Sequence, residues 1–148
     1  MSQKMKKKGQ GCQYAALPIA EQAGETMVML VTSRETHRWI IPKGWAEKGV
    51  APHELAAKEA YEEAGLIGEV QAKALGSYCY SKRLRSGREL PCQVQVFPMR
   101  VEKQLEGWPE RRERETRWFT LSGAAQLVGD AGLSALLLGL TRPRDSAA

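Results

Sequence analysis

Three glutamates are spaced so that they could bind a metal ion together. Glu59, Glu62 and Glu63 occupy positions i, i+3 and i+4 of residues 51–64, an alanine-rich segment that predicts a helix and that Gly65 is placed to end. At 3.6 residues per turn their side chains share one helix face, where each pair repels by roughly a few tenths of a kcal/mol. A hard divalent cation with oxygen ligands, Mg²⁺ or Mn²⁺, would remove this repulsion. A solvated acidic helix face is the alternative that the spacing alone leaves open.

Basic residues flank this helix in the sequence on both sides. Four of them lie within residues 82–88, which connect two predicted strands, and two more lie before the helix, near a loop that contains two glycines. Arginine binds phosphate through forked hydrogen bonds and lysine as a point charge. The candidate substrate-binding residues are therefore Lys43, Arg38, Lys82, Arg83, Arg85 and Arg88. A solubilising turn is the alternative for residues 82–88.

Other reactive residue types lack the spacing that their chemistry needs. Cys12, Cys79 and Cys92 are an odd number at wide intervals, which excludes a disulfide framework and a C-x-x-C zinc site. His37 and His53 have no second histidine or cysteine at metal-ligand spacing, and no G-x-S-x-G elbow is present. We therefore expect three free thiols and no serine-histidine catalysis.

The net charge of +5 comes largely from the first residues of the chain. Of 22 basic residues, four are Lys4, Lys6, Lys7 and Lys8, so 18 remain against 17 acidic ones. This near balance disfavours a protein with a basic face for duplex DNA. We therefore expect no specific DNA binding. Contact with RNA through the four lysines is an alternative role.

The length of 148 residues fits one domain with a sizeable core. We predict a flexible basic tail at residues 1–11, a domain at 12–141 and a flexible tail at 142–148. No apolar run approaches the roughly 20 residues of a membrane span, and the basic start has no apolar stretch of a signal peptide. We therefore expect a cytoplasmic protein with no membrane partner. The oligomeric state does not follow from the sequence.

The hydrophobic pattern predicts a mixture of strands and helices. Residues 43–49, 82–88 and 104–115 are predicted as irregular segments, and residues 122–140 as one broken helix or two short ones. The predicted strands are residues 14–20, 26–33, 39–41, 69–81, 91–101 and 118–120. A central and a terminal helix with these strands predict an α+β sandwich.

The segment from Gly44 to Leu66 resembles the signature of the Nudix hydrolases, G-x5-E-x7-R-E-U-x-E-E-x-G-U, where U is apolar. The match places Lys58 at the arginine, Glu59 at the next glutamate, Glu62 and Glu63 at the glutamate pair and Gly65 at the second glycine. Two positions depart from the pattern, because Val50 occupies its first glutamate and Lys58 replaces its arginine. Lysine keeps the charge but loses the bidentate fork.

The resemblance implies a Nudix-type α/β/α sandwich with a mixed β-sheet and Mg²⁺-dependent hydrolysis of phosphoanhydride bonds. It implies that Glu59, Glu62 and Glu63, together with Gly44, form the metal site. Lys58 would hold Glu59 in place. Either Glu62 or Glu63 would accept the proton from the attacking water, with Glu62 preferred. Val50 can bind no metal, and Glu47 is a partial substitute.

Further similarity covers about residues 14–140 and indicates a branch of this family. Residues 39–44, Glu47, 106–108 and 117–119 resemble the enzymes similar to diphosphoinositol polyphosphate phosphohydrolases, which also cleave diadenosine polyphosphates. The expected partner is thus a small, highly phosphorylated substrate. The alternatives are ADP-ribose or another nucleoside diphosphate derivative, the 5′ end of RNA, and a Nudix-fold sensor that binds without hydrolysis.

Overall fold

A computed structural model describes residues 11–141. The predicted tails therefore lie outside the described residues, apart from Gly11, which begins the first strand. Eight strands and three helices make up the described chain, and none of these helices has the length and apolarity to cross a membrane. In chain order they are β1 (Gly11–Gln22), β2 (Glu25–Thr32), β3 (Trp39–Ile40), β4 (Lys43–Trp45), α1 (Pro52–Ala64), β5 (Leu66–Val70), β6 (Gly76–Arg83), β7 (Glu89–Gln104), β8 (Thr116–Thr120), α2 (Leu121–Leu127) and α3 (Ala131–Thr141).

All eight strands belong to one mixed sheet built around a parallel pair, β1 and β7. This pair runs from Gly11 opposite Cys92 to Ile19 opposite Arg100, and every other pairing is antiparallel. The main strand order is β3-β2-β1-β7-β5, with β4 beside β1, β6 beside β7 and β8 beside β2. The predicted mixed sheet is therefore confirmed.

The helices cover both faces of the sheet and divide the core into two layers. On one face α1 buries Ala56, Ala60 and Ala64 against apolar residues of β1, β2 and β7. On the other face α3 buries Leu133 and Leu137 together with α2. Burying one leucine side chain contributes about 1.5–3 kcal/mol, so these faces hold the layers together. The predicted α/β/α sandwich and the two short C-terminal helices are confirmed.

Two of the predicted element boundaries were wrong, because strand pairing outweighs the local pattern. Residues 43–45 were predicted as loop but form β4, since their backbone pairs with Gln13–Ala15 of β1. The single strand predicted at 69–81 is two strands, β5 and β6. Both pair with β7, and the chain between them bonds to the same strand through Gln71 N to Pro98 O (3.0 Å) and Leu75 N to Val96 O (2.7 Å).

Candidate functional site

Helix α1 brings two of the three predicted glutamates together beside β4. The helix begins after Ala51 with Pro52 in its first turn, and it ends at Gly65, whose φ of 68° is the left-handed conformation that glycine adopts readily. Its buried alanine face packs on the sheet, so the adjoining Glu63 is carried into the interior, while Glu59 is half-buried. The site therefore lies at the edge of a packed layer.

Glu63 is a buried carboxylate with one oxygen left unbonded. The residue is 4% exposed, and its Oε1 has no hydrogen-bond partner among residues 11–141. Burial raises the pKa of Glu63 to about 9, although the positive charge of Arg114 acts in the opposite direction. A buried unpaired carboxylate oxygen costs free energy, and a bound cation would remove that cost.

Glu59 lies against the backbone of Gly44. A Cβ atom at residue 44 would overlap the Glu59 carboxylate, so this position requires glycine for the side chain to fit as observed. Burial raises the pKa of Glu59, and the negative charge of Glu62 adds to that shift. Glu59 and Glu63 are close enough that each affects the pKa of the other.

Glu62 is half-buried, as Glu59 is, and its negative charge acts on Glu59. Within residues 11–141, no three histidine, cysteine, aspartate or glutamate side chains are already arranged around one metal position. Mg²⁺ commonly takes one or two carboxylates and completes its shell with waters and substrate phosphates. The Glu59–Glu63 pair, with its unbonded oxygen, fits that requirement.

Lys58 contacts the preceding loop rather than Glu59. Its Nζ lies 3.2 Å from Oε2 and 3.4 Å from Oε1 of Glu47, and this hydrogen bonding raises the pKa of Lys58. Glu47 precedes Val50, the position where the signature has a glutamate, and Val50 N donates to Glu47 O (3.2 Å). The lysine at the arginine position therefore pairs with Glu47 through an exposed ion pair, which solvent screens.

The segment after β7 binds the C-terminal end of α1. It was predicted as an irregular polar stretch, but it satisfies the carbonyl groups that a helix end leaves unpaired. Trp108 Nε1 donates to Glu63 O (3.2 Å) and Glu110 N to Glu62 O (3.0 Å). Gln104 Nε2 donates to Ala64 O (2.9 Å), and Leu105 N donates to Gly65 O (2.8 Å). The glutamate-bearing turn is therefore held by residues about 45 positions away.

Arg114 is the residue of this site that sequence reasoning missed. Its side chain is 8% exposed, and its Nη2 lies 3.7 Å from Glu63 Oε2. Arg114 belongs to a run of arginines and glutamates from 110 to 117, in which spacing does not distinguish a buried arginine from exposed ones. Only the folded loop shows which of them turns inward.

Three of the six predicted phosphate-binding residues lie near one another. Lys43 Nζ lies over the ring of Tyr80, 5.0 Å from its centroid. Burial lowers the pKa of Lys43, and the positive charges of Lys82 and Arg38 lower it further, while Glu63 raises it. Lys43, Lys82 and Arg38, here called the basic cluster, therefore lie within electrostatic range of one another, and Lys43 lies within range of Glu63.

The other three predicted residues point elsewhere. Successive side chains of a strand alternate between faces, so Lys82 is on the Tyr80 face of β6 and Arg83 on the opposite face. Arg83 is exposed and pairs with Glu89 at 3.9 Å. Arg85 and Arg88 are exposed in the turn between β6 and β7. Of the four charges in residues 82–88, the structure brings only Lys82 to the basic cluster.

Metal-free protein should lose stability as pH rises, and Glu63→Gln should remove part of that loss. Because the folded pKa of Glu63 is raised to about 9, the folded state holds a proton that the unfolded state has released. The free energy of unfolding therefore falls between about pH 5 and pH 9 and levels off above. Urea unfolding in chelator at several pH values would measure this. Identical pH slopes for parent and variant would contradict it.

Comparisons with known proteins agree with this geometry. The NUDIX domain family matches residues 13–136. "Nudix hydrolase 12, mitochondrial" of Arabidopsis thaliana is 34% identical over 103 residues, covering 68% of this chain and 51% of the relative. "Diphosphoinositol polyphosphate phosphohydrolase 3-alpha" of Mus musculus is 27% identical over 116 residues, covering 77% and 66%.

Solved structures show the same fold. The C. elegans Ap4A hydrolase superposes with a TM-score of 0.65 at 17% identity, covering 89% of this chain and 96% of that one. The chain spans about half the length of the Arabidopsis relative that it matches. The fold and the family match over residues 13–136 together show that this chain belongs to the Nudix family.

Proposed function

We propose that this protein is a Mg²⁺-dependent Nudix pyrophosphohydrolase that cleaves a phosphoanhydride bond in a small, highly anionic substrate, either a diphosphoinositol polyphosphate or a dinucleoside polyphosphate. The observation that carries the proposal is the neighbouring carboxylates of half-buried Glu59 and buried Glu63, with Lys43 of the basic cluster within electrostatic range of Glu63. The mouse relative is named for diphosphoinositol polyphosphates and the C. elegans protein for Ap4A, and both names support these substrates.

The proposed chemistry divides between an acidic and a basic half. Glu59 and Glu63 would hold Mg²⁺, or Mn²⁺ in its place, with Glu62 completing the set and Gly44 leaving room for Glu59. The bound ion would polarise the phosphoryl oxygens and lower the pKa of water. Glu62, outside the Glu59–Glu63 pair, is our choice for the group that takes a proton from the attacking water.

The basic half would hold the substrate's phosphates. Lys43, Lys82 and Arg38 offset the negative charge that must approach the carboxylates, so they position the anhydride rather than react with it. Arg83, Arg85 and Arg88 would contact only those phosphates of a long substrate that extend past the basic cluster. Lys58 would act through Glu47, by keeping the loop before α1 on the helix.

A non-catalytic sensor is the second candidate, because two signature positions differ. Val50 supplies no carboxylate, and Lys58 supplies no guanidinium. Such a protein would bind the same anions without cleaving them. Within the hydrolase class, ADP-ribose and other nucleoside diphosphate derivatives or the 5′ end of RNA are the alternative substrates.

A substrate panel tests the proposal. Diadenosine polyphosphates, diphosphoinositol phosphates, ADP-ribose, nucleoside triphosphates and triphosphorylated RNA would be incubated with the protein in Mg²⁺, in Mn²⁺ and in chelator. We expect metal-dependent product from the first two classes. Calorimetric binding without any product after long incubation would identify a sensor, and turnover in chelator would contradict the proposed metal role.

Lys82→Gln and Arg83→Gln form a matched pair, since they remove one charge each from adjacent residues on opposite faces of β6. We expect Lys82→Gln to raise KM about tenfold, corresponding to the loss of one charged hydrogen bond of about 1.4 kcal/mol or more. Arg83→Gln should change KM by less than about twofold. Equal effects from both would show that the substrate is held by overall charge instead of by the basic cluster.

We also propose that the protein is located in the cytoplasm. The Arabidopsis relative carries "mitochondrial" in its name, and that word describes the relative alone. Imaging of the full chain with a C-terminal fluorescent tag would decide, with diffuse cytoplasmic signal expected and organelle-restricted signal contradicting it.

A further inference from the structure

Arg114 is held in one orientation by two strong hydrogen bonds. Its Nε donates to Glu110 Oε1 at 2.7 Å, and its Nη1 donates to Thr32 O at 3.0 Å. The adjoining backbone is also fixed, since Glu115 N donates to Thr32 Oγ1 at 2.9 Å and Thr32 N donates to Glu115 O at 3.0 Å. A planar guanidinium with two of its nitrogens fixed has little freedom in where its third nitrogen points.

That third nitrogen faces Glu63. Arg114 Nη2 lies 3.7 Å from Glu63 Oε2, a charge contact longer than a hydrogen bond, and both side chains are at most 8% exposed. The other carboxylate oxygen, Oε1, has no partner within the described residues. Arg114 therefore constrains one oxygen of Glu63 and leaves the other available to a ligand.

Burial of the Arg114 guanidinium costs free energy that its charged partners must offset. An arginine cannot release its proton inside a protein, so its buried charge needs anionic partners. Glu110, with a side chain 21% exposed, already supplies one. The second contact of Arg114 is with Glu63. A guanidinium at that distance favours the ionised form of the carboxylate, which is the form that binds a cation.

We propose that Arg114 is the positioning residue for Glu63: it keeps the carboxylate oriented with Oε1 toward the metal position and stabilises its negative charge. The signature assigns a basic partner to residue 58, but here Lys58 contacts Glu47. Arg114, from a loop 51 residues after Glu63, provides the guanidinium that the helix lacks. This role depends on the proposed metal-dependent function, but Arg114 takes no part in the chemical step itself.

The test measures Mn²⁺ binding and turnover separately. Mn²⁺ affinity would be measured on the substrate-free protein by electron paramagnetic resonance, and kcat and KM with the best substrate of the panel. Arg114→Met should weaken Mn²⁺ binding and lower kcat about 10- to 100-fold, the range for partners that orient a metal ligand, with KM nearly unchanged. Arg114→Lys should fall between Arg114→Met and the parent, because one amine replaces three directed nitrogens.

Arg112→Met is the matched control, because Arg112 is an exposed arginine of the same loop. It should keep the parental Mn²⁺ affinity and kcat. In a Glu63→Gln background, Arg114→Met should have little further effect on Mn²⁺ affinity, since its target carboxylate is already gone. A loss of the same size in that background would show that Arg114 acts independently of Glu63 and would overturn the proposal.

Circular dichroism would show whether Arg114→Met is folded, and that result decides which variant tests the proposal. If Arg114→Met is folded, parental Mn²⁺ affinity and kcat overturn the inference. If it is unfolded, Arg114→Lys decides, and parental values for that variant overturn it in the same way. If the parent hydrolyses nothing in the panel, the proposed function fails while the Mn²⁺ measurements still test the link between Arg114 and Glu63.

Discussion

Glu63→Gln should give a folded protein with metal-dependent turnover lowered by about 10²–10³-fold, the range for losing one charge-stabilising group. The amide keeps the size of the side chain but cannot carry the negative charge that a cation requires. At neutral pH the metal-free protein should be as stable as the parent. Burial raises the pKa of Glu63 to about 9, so the neutral amide resembles the protonated carboxyl already present. Initial rates across Mg²⁺ concentrations and thermal unfolding in chelator would measure both effects.

Glu54→Gln is the control for this substitution. Glu54 lies in the first turn of the same helix and is exposed. Its replacement should lower the free energy of unfolding by about 0.3–1 kcal/mol, because a favourable charge near the positive end of the helix dipole is lost. Turnover should be unchanged. If Glu63→Gln retained parental kcat while Glu62→Gln abolished activity, the metal role that we assign to the Glu59–Glu63 pair would belong to another set of residues.

Gly44→Ala should abolish most activity with only a modest loss of stability. A Cβ at residue 44 would overlap the Glu59 carboxylate, the mobile end of a flexible side chain, which can rotate away at little cost. Once it does, Glu59 no longer lies beside Glu63, and the metal position loses a ligand. We expect kcat to fall about 100-fold or more, comparable to the effect of displacing a charge-stabilising group. Steady-state kinetics and urea unfolding would separate the two effects.

Two comparisons give this prediction its specificity. Gly107→Ala places the same methyl group where nothing lies within 4 Å, so it should leave kcat unchanged. In a Glu59→Gln background, Gly44→Ala should add much less than it does in the parent, because both changes remove the same carboxylate from the site. Additive effects would mean that Gly44 acts through the backbone of β4 and not through Glu59.

Helix α1 could be predicted because its signals are local. Ala51, Pro52 and Gly65 mark its ends, and the spacing of Glu59 and Glu63 places them within one turn of each other whatever surrounds them. The same spacing also predicted Glu62 as an equal member of the set. The structure buries Glu63 where the helix packs on the sheet and leaves both Glu59 and Glu62 half-buried, so membership of Glu62 in the set stays a prediction.

The spatial arrangement of the basic residues could not be predicted from their spacing in the sequence. The four positive charges in residues 82–88 predicted one phosphate-binding loop. In the structure β6 extends to Arg83 because it pairs with β7. Since side chains alternate along a strand, Lys82 and Arg83 lie on opposite faces. Lys82 lies near Lys43 and Arg38 although about 40 residues separate it from them in the sequence. No spacing along the chain encodes that proximity.

The sequence by itself determined the helix, its acidic turn and the family to which these belong, because the spacing that defines them can be read along the chain. Only the tertiary structure decided that Gly44 makes room for Glu59, that Arg114 faces Glu63 and that Lys58 faces Glu47. It also decided which of the four neighbouring charges, Lys82, lies near Lys43. Those contacts depend on which side of a strand or loop is buried, and burial is a property of the whole packed chain.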